Sequence, residues 1–162
     1  MSAPPAVDPD QRGNPRDSDA GASQGARTVR QTDPMVTRMH YVRLALDSRG
    51  ETHFEDAQLD MSERDYRPPA PLMFVSHART SSMVQFVRLP AGWEGKSITV
   101  PEPQFVICVA GKVEITTSNG GTRAFAPGNV ILMEDNSGRG HSTRVVGDDD
   151  WTAAIAPVTD QA

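Results

Sequence analysis

SNGGTRAFAPGNVILMEDNSGRGHSTRVV, residues 118–146, alternates short apolar runs with glycine-broken turns. Asn119-Gly120-Gly121 supplies the positive φ that a tight hairpin turn requires, because glycine and asparagine enter the left-handed region at little steric cost. The flanking runs, KVEITTS (112–118) and TRAFA (122–126), therefore read as the two arms of a hairpin. Ala126-Pro127-Gly128 ends the second arm, NVILMED (129–135) opens another strand, and NSGRG delivers the chain to HSTRVVG (141–147).

Side chains alternate across a strand, so His141, Thr143 and Val145 share one face while Ser142, Arg144 and Val146 share the other. The face with His141 carries less charge and is expected to point inward. His141 then has three readings: a metal ligand, a proton donor or acceptor, or a packed polar side chain.

The same punctuation extends outward in both directions. MHYVRLAL (39–46), LMFVSHA (72–78), SMVQFVRL (82–89), SITV (97–100), QFVICVA (104–110) and WTAAIAPV (151–158) are short runs of β-forming residues. Turn clusters such as RGE, PAGWEGK, PEP and GDDD stand between them. No window sustains a period of 3.6; EDAQLDMSERDY (55–66) is assigned one short helical turn. Many short strands with little helix predict an all-β sandwich or barrel. In QFVICVA, Gln104 falls on the face of Val106 and Cys108, where a polar group needs a partner.

Residues 1–34 contain no Leu, Ile, Phe, Tyr or Trp and are filled with Pro, Gly, Ser, Asp and Arg. Such a segment buries too little apolar surface to offset its ordering entropy, so residues 1–36 are expected to be a disordered tail and 37–160 one domain. A secretory signal needs an apolar stretch of about 7–15 residues, which the tail lacks. FVICVA (105–110) falls far short of the roughly 20 apolar residues of a membrane-spanning helix. The lone cysteine, Cys108, is read as a buried structural thiol that leaves the chain independent of an oxidising compartment, and the expected location is cytoplasmic. The 16 basic residues are scattered among 21 acidic ones, net −5, which argues against nucleic-acid binding.

PEPQFVICVAGKVEI (101–115), followed by the spacing from Gly121 to Pro127-Gly128 and the downstream His141, resembles the paired motifs of the cupin superfamily. HFED (53–56) and GRGH (138–141) are similar to stretches of its small single-domain members. The resemblance covers roughly residues 39 to 158 and implies a jelly-roll barrel with a small-molecule pocket between its sheets, commonly in a homodimer.

Many cupins hold a divalent metal through His-x-His, a glutamate and a later histidine. Counting back from Gly111 as the family does, the glutamate position falls on Gln104 and the two histidine positions fall near Ile98 and Val100. Only His141 of that set is an imidazole. Iron, manganese, nickel or zinc sites favour several imidazoles and a carboxylate, so no cofactor is expected. A rebuilt site, with His141 as the retained ligand, would require His53, His77, Glu102 or Glu134 to converge on it.

Two functions follow as expectations, with a third beside them. The first is a metal-independent isomerase, dehydratase or cyclase acting on an organic metabolite. In it His141 is the acid or base and Gln104 hydrogen-bonds the substrate. Trp93, Phe105, Ile98, Val100, Met133 and His53 would line the site. The second is a metal-dependent oxygenase or lyase with an unusual ligand set. The third is a non-catalytic barrel that binds a metabolite. Ile98, Val100, Val106 and Met133 favour an apolar, aromatic ligand over a sugar phosphate. A pocket histidine contributes less to packing than an apolar core residue, so His141→Ala is expected to leave folding largely intact.

Overall fold

The computed structural model describes residues 36–65 and 67–159. The expected tail lies outside these residues, apart from Val36, which opens the first strand. Among the described residues there is no helix, and eleven strands form two sheets.

The first sheet runs in the order β3-β2-β1-β9-β6-β11-β4. These strands are Met73–Ser76, Thr52–Arg64, Val36–Leu46, Val130–Met133, Gln104–Ala110, Trp151–Pro157 and Gln85–Leu89, respectively. The second runs β5-β10-β7-β8, with Glu94–Ile98, His141–Val145, Val113–Thr117 and Thr122–Phe125. All pairings are antiparallel except β1 with β9, where Val42 faces Ile131. Leu44, Val106, Val113, Ile115, Ile131, Met133 and Ala153 fill the space between the sheets. A second, smaller cluster of Tyr41, Leu132 and Val158, with Phe105 against it, lies on the other face of the long sheet.

The hairpin read at Asn119-Gly120 is β7–β8. The Thr117 amide donates to the Gly121 carbonyl at 2.8 Å, and Gly120 takes a φ of 91°. The alternation read for β10 also holds: His141, Thr143 and Val145 are buried, and Arg144 points out to pair with Glu114 at 2.7 Å. In β6, Gln104, Val106 and Cys108 are buried while Ile107 and Val109 are exposed.

Two expectations are corrected. The described part of the segment, 55–65, is no helical turn: most of it belongs to the 13-residue strand β2, which pairs with β1 from Val36–Ser62 to Leu46–Thr52. Its side chains alternate between half-buried and exposed over Glu55–Asp60, a period of two, and the long ladder with β1 satisfies its backbone. The fifth strand starts at Glu94 rather than Ser97, so Trp93-Glu94-Gly95 enters the strand instead of ending a turn. Gly95 permits this, because a Cβ there would meet the Trp93 ring at 2.5 Å. Gly111, with φ 70°, closes β6 against Trp151, and a Cβ there would stand 2.8 Å from the Trp151 Cα.

Candidate ligand site

Between the sheets, residues from both layers line an open-mouthed cavity of about 220 Å³. The long sheet contributes Gln104 and Val106 from β6, Met133 from β9, Trp151 and Ile155 from β11, and Val87 and Leu89 from β4. The short sheet contributes Ile98, His141, Thr143 and Ile115, while Thr99-Val100-Pro101 closes the same cavity after β5. Trp93, at the head of β5, forms a further wall. Among the described residues no Lys, Arg, Asp or Glu lines it.

His141 is 5% exposed, and its Nδ1 lies 2.6 Å from Oδ2 of Asp135, which is 0% exposed. An ionised carboxylate only accepts, so Nδ1–H donates to Asp135 and the Nε2 lone pair is left for the cavity. Asp135 itself does not line the cavity, which places the carboxylate behind the imidazole. Its other oxygen, Oδ1, is buried without a hydrogen-bond partner, so His141 is the only side chain bonded to this carboxylate among the described residues.

The turn that joins the two partners is tightly made. Gly140, with φ 66°, lies so close to Ile98 that a Cβ would stand 2.7 Å from the Ile98 carbonyl carbon. Ser97, next to Ile98, is itself in the left-handed region at φ 52°. Thr52 Oγ1 donates to the Gly140 carbonyl at 2.9 Å and pins the turn to β2.

Gln104, 8% exposed, makes no side-chain hydrogen bond within the described residues, so its amide is available to the cavity it lines. Cys108 sits behind the apolar wall; burial pushes its thiol up, with the Trp151 indole acting in the opposite direction. It is a structural thiol with little thiolate character.

Of the residues singled out in the sequence, His141, Gln104, Trp93, Ile98, Val100 and Met133 come together here. Phe105 and His53 do not. Phe105 alternates with Gln104 and turns to the opposite face of β6, edge-on to Tyr41 at 6.1 Å. His53 pairs with Glu55 at 2.9 Å, next to an Arg43–Glu134 ion pair of 2.7 Å. Glu55 also binds Arg43 at 2.6 Å, so this charged chain is closed on itself. Asp135 is the residue that sequence reading missed. Its signal was an acid at the end of the NVILMED strand, with the glycine-rich turn returning the chain to a histidine six residues later.

The donor set does not fit the metal centre that the family pattern would supply. Ile98 and Val100 stand at the imidazole positions, Gln104 replaces the carboxylate, and the replacement ligands are elsewhere: His53 and Glu134 are bound as above, and His77 and Glu102 are exposed. No group of three or more His, Cys, Asp or Glu side chains suited to a metal gathers among the described residues.

A larger surface groove of about 400 Å³ runs along His40, Asp56, Arg123 and Asn129. Its cation is engaged: Arg123 holds Asp56 through both carboxylate oxygens and keeps that carboxyl below its ordinary range. The cavity between the sheets is the better-built site, because His141 and Gln104, both buried, present polar atoms to an apolar lining.

No known family's sequence profile matches the chain, and no curated protein matches it. Among solved structures, it is similar to the cupin domain of Schizosaccharomyces pombe Cnp3 at 15% identity and a TM-score of 0.41, over 76% of this chain and 88% of that one. The fold itself is an all-β arrangement of a seven-stranded and a four-stranded sheet. A conserved protein of unknown function from Streptococcus pyogenes, SPY1581, is similar at 21% identity and a TM-score of 0.37, over 54% of this chain and 72% of that one. ToxT from Vibrio cholerae, bound to (E)-4-(8-methylnaphthalen-1-yl)but-3-enoic acid, is similar at 13% identity and a TM-score of 0.42. That match covers 50% of this chain and 32% of ToxT, so the chain spans about a third of that protein.

Proposed function

We propose that the cavity between the sheets binds a small organic metabolite and that His141 moves a proton on it, in an isomerase-, dehydratase- or cyclase-type reaction. The observation that carries this reading is the buried Asp135–His141 pair at 2.6 Å, with the imidazole lining the cavity and the carboxylate behind it. Asp135 holds the ring in one tautomer and stabilises the imidazolium formed when Nε2 takes a proton. Positioned acid–base groups of this kind contribute about 10²–10⁴-fold in rate. Gln104 orients the substrate, and the apolar walls exclude water from the proton transfer.

The test is deuterium exchange at the α-carbon of cyclohexanone in D₂O, followed by NMR. The wild-type protein is expected to accelerate exchange over buffer, with His141→Gln and Asp135→Asn each reducing the acceleration by about 100-fold or more. Exchange no faster than buffer, or variants equal to wild type, would favour a binding barrel without chemistry.

We also propose that the jelly roll works as a homodimer. Phe86 is 75% exposed on the long sheet, opposite Ala154, with Ile107 the next residue across; Ile107 and Val109 are exposed as well. A contiguous apolar patch of this kind on a soluble protein favours burial against a second surface. Light scattering after size exclusion is expected to give twice the chain mass for the wild type and the single-chain mass for Phe86→Glu. A monomeric wild type at micromolar concentration would remove the proposal.

A further inference from the structure

We infer that the cavity takes a neutral, one-ring organic molecule carrying a hydroxyl that donates to Nε2 of His141 and a carbonyl that accepts from the amide of Gln104. This rests on the cavity being the binding site, as proposed above, and adds the chemical class of the occupant.

Three observations carry it. The first is size. A cavity of roughly 150 Å³ accommodates benzene, and this one, at about 220 Å³, matches one ring with substituents.

The second is charge. The walls are Val87, Leu89, Trp93, Ile98, Val106 and Ile155, among others, and the lining includes no Lys or Arg. A carboxylate or phosphate would lose its hydration and find no cation, so an anionic ligand is disfavoured. The buried Asp135 carboxylate behind His141 adds a negative charge that opposes an anion further.

The third is the pattern of free polar groups. With Nδ1 committed to Asp135, Nε2 of His141 is an acceptor and requires a donor on the ligand. The Gln104 side chain, more than nine-tenths buried and without a hydrogen-bond partner among the described residues, offers an N–H pair for an acceptor. A site built to pair a hydroxyl discriminates strongly against the analogue that lacks it, because its own polar group is then left unsatisfied. When His141 accepts the hydroxyl proton, the O–H bond breaks, the Nε2–H bond forms, and the electron pair stays on the ligand oxygen.

The probe is 3-hydroxyacetophenone, titrated by ligand-observed NMR and calorimetry into the full-length protein. Three comparisons accompany it: 3-methoxyacetophenone, which blocks the donor; acetophenone, which lacks it; and 3-hydroxybenzoate, which replaces the neutral carbonyl by an anion. The expected result is saturable binding of 3-hydroxyacetophenone, with each of the three at least about 10-fold weaker. Gln104→Leu is expected to weaken 3-hydroxyacetophenone about 10-fold while leaving its own unfolding midpoint near wild type. Equal affinity for the methoxy compound, or tighter binding of the benzoate, would overturn the class while leaving the cavity and its proton chemistry in place. If none of the four binds, yet cyclohexanone exchange is accelerated, the class fails alone. If none binds and no exchange occurs, the cavity reading fails with it.

Discussion

Replacing His141 by alanine is expected to cost about 3–5 kcal/mol of unfolding free energy at neutral pH, the range found when a buried charge is left without its partner. The reason is Asp135 rather than the imidazole itself. Asp135 is fully buried, its Oδ1 has no partner among the described residues, and its Oδ2 bonds to His141. Removing the ring leaves a buried carboxylate without its one side-chain hydrogen-bond donor. The sequence alone predicts a mild effect, because a pocket histidine does little packing; the structure reverses that by placing an unshared carboxylate behind it. Urea unfolding of His141→Ala, Asp135→Ala and the double variant measures this directly. The double variant should be more stable than His141→Ala, since it removes the stranded charge along with its partner. A His141→Ala variant within about 1 kcal/mol of wild type would show that the pair does not hold the fold together.

The difference between those two predictions marks where sequence reading ends. Local rules place β7, β8 and β10, because a hairpin glycine and a period-two alternation act over a few residues and need no knowledge of the partner strand. Parity alone puts Gln104 inside and His141 on the inner face, and the structure brings both to one cavity. The same parity argues against Phe105, which follows Gln104 and therefore faces the other way. His53 is harder: it lies on β2 beside Glu55, and only the β1–β2 register shows that Arg43 stands across from Glu55 and closes the charges on the outer side. Asp135 was legible as a strand end but not as a partner. Its meeting with His141 depends on the path of the NSGRG turn, which the sequence marks as glycine-rich without fixing its direction. The β2 segment was misassigned because its polar outer face masks a weak alternation, and its strand character comes from pairing with β1, a tertiary effect.

Gly140→Ala is the second large effect expected, at about 2–5 kcal/mol, summing left-handed strain of roughly 1–2 kcal/mol with an overpacking cost of roughly 1–3 kcal/mol. Gly140 takes φ 66°, and its missing Cβ is the space occupied by the Ile98 backbone. Gly147 separates the two contributions: at φ 92° it has the same sign of torsion, yet a Cβ there would meet nothing within 4 Å. Gly147→Ala should therefore show the strain alone, about 1–2 kcal/mol, and the excess in Gly140→Ala reports the clash. Relief of that clash has to move either the turn or β5, and both routes disturb the site, since Ile98 lines the cavity and His141 is the next residue after Gly140. Gly140→Ala should then lose the proton chemistry of His141 beyond what its stability loss explains, measured as exchange activity at a temperature where the variant is fully folded. Equal unfolding midpoints for the two glycine variants would mean that Ile98 yields freely and that the turn does not hold His141 against its neighbours.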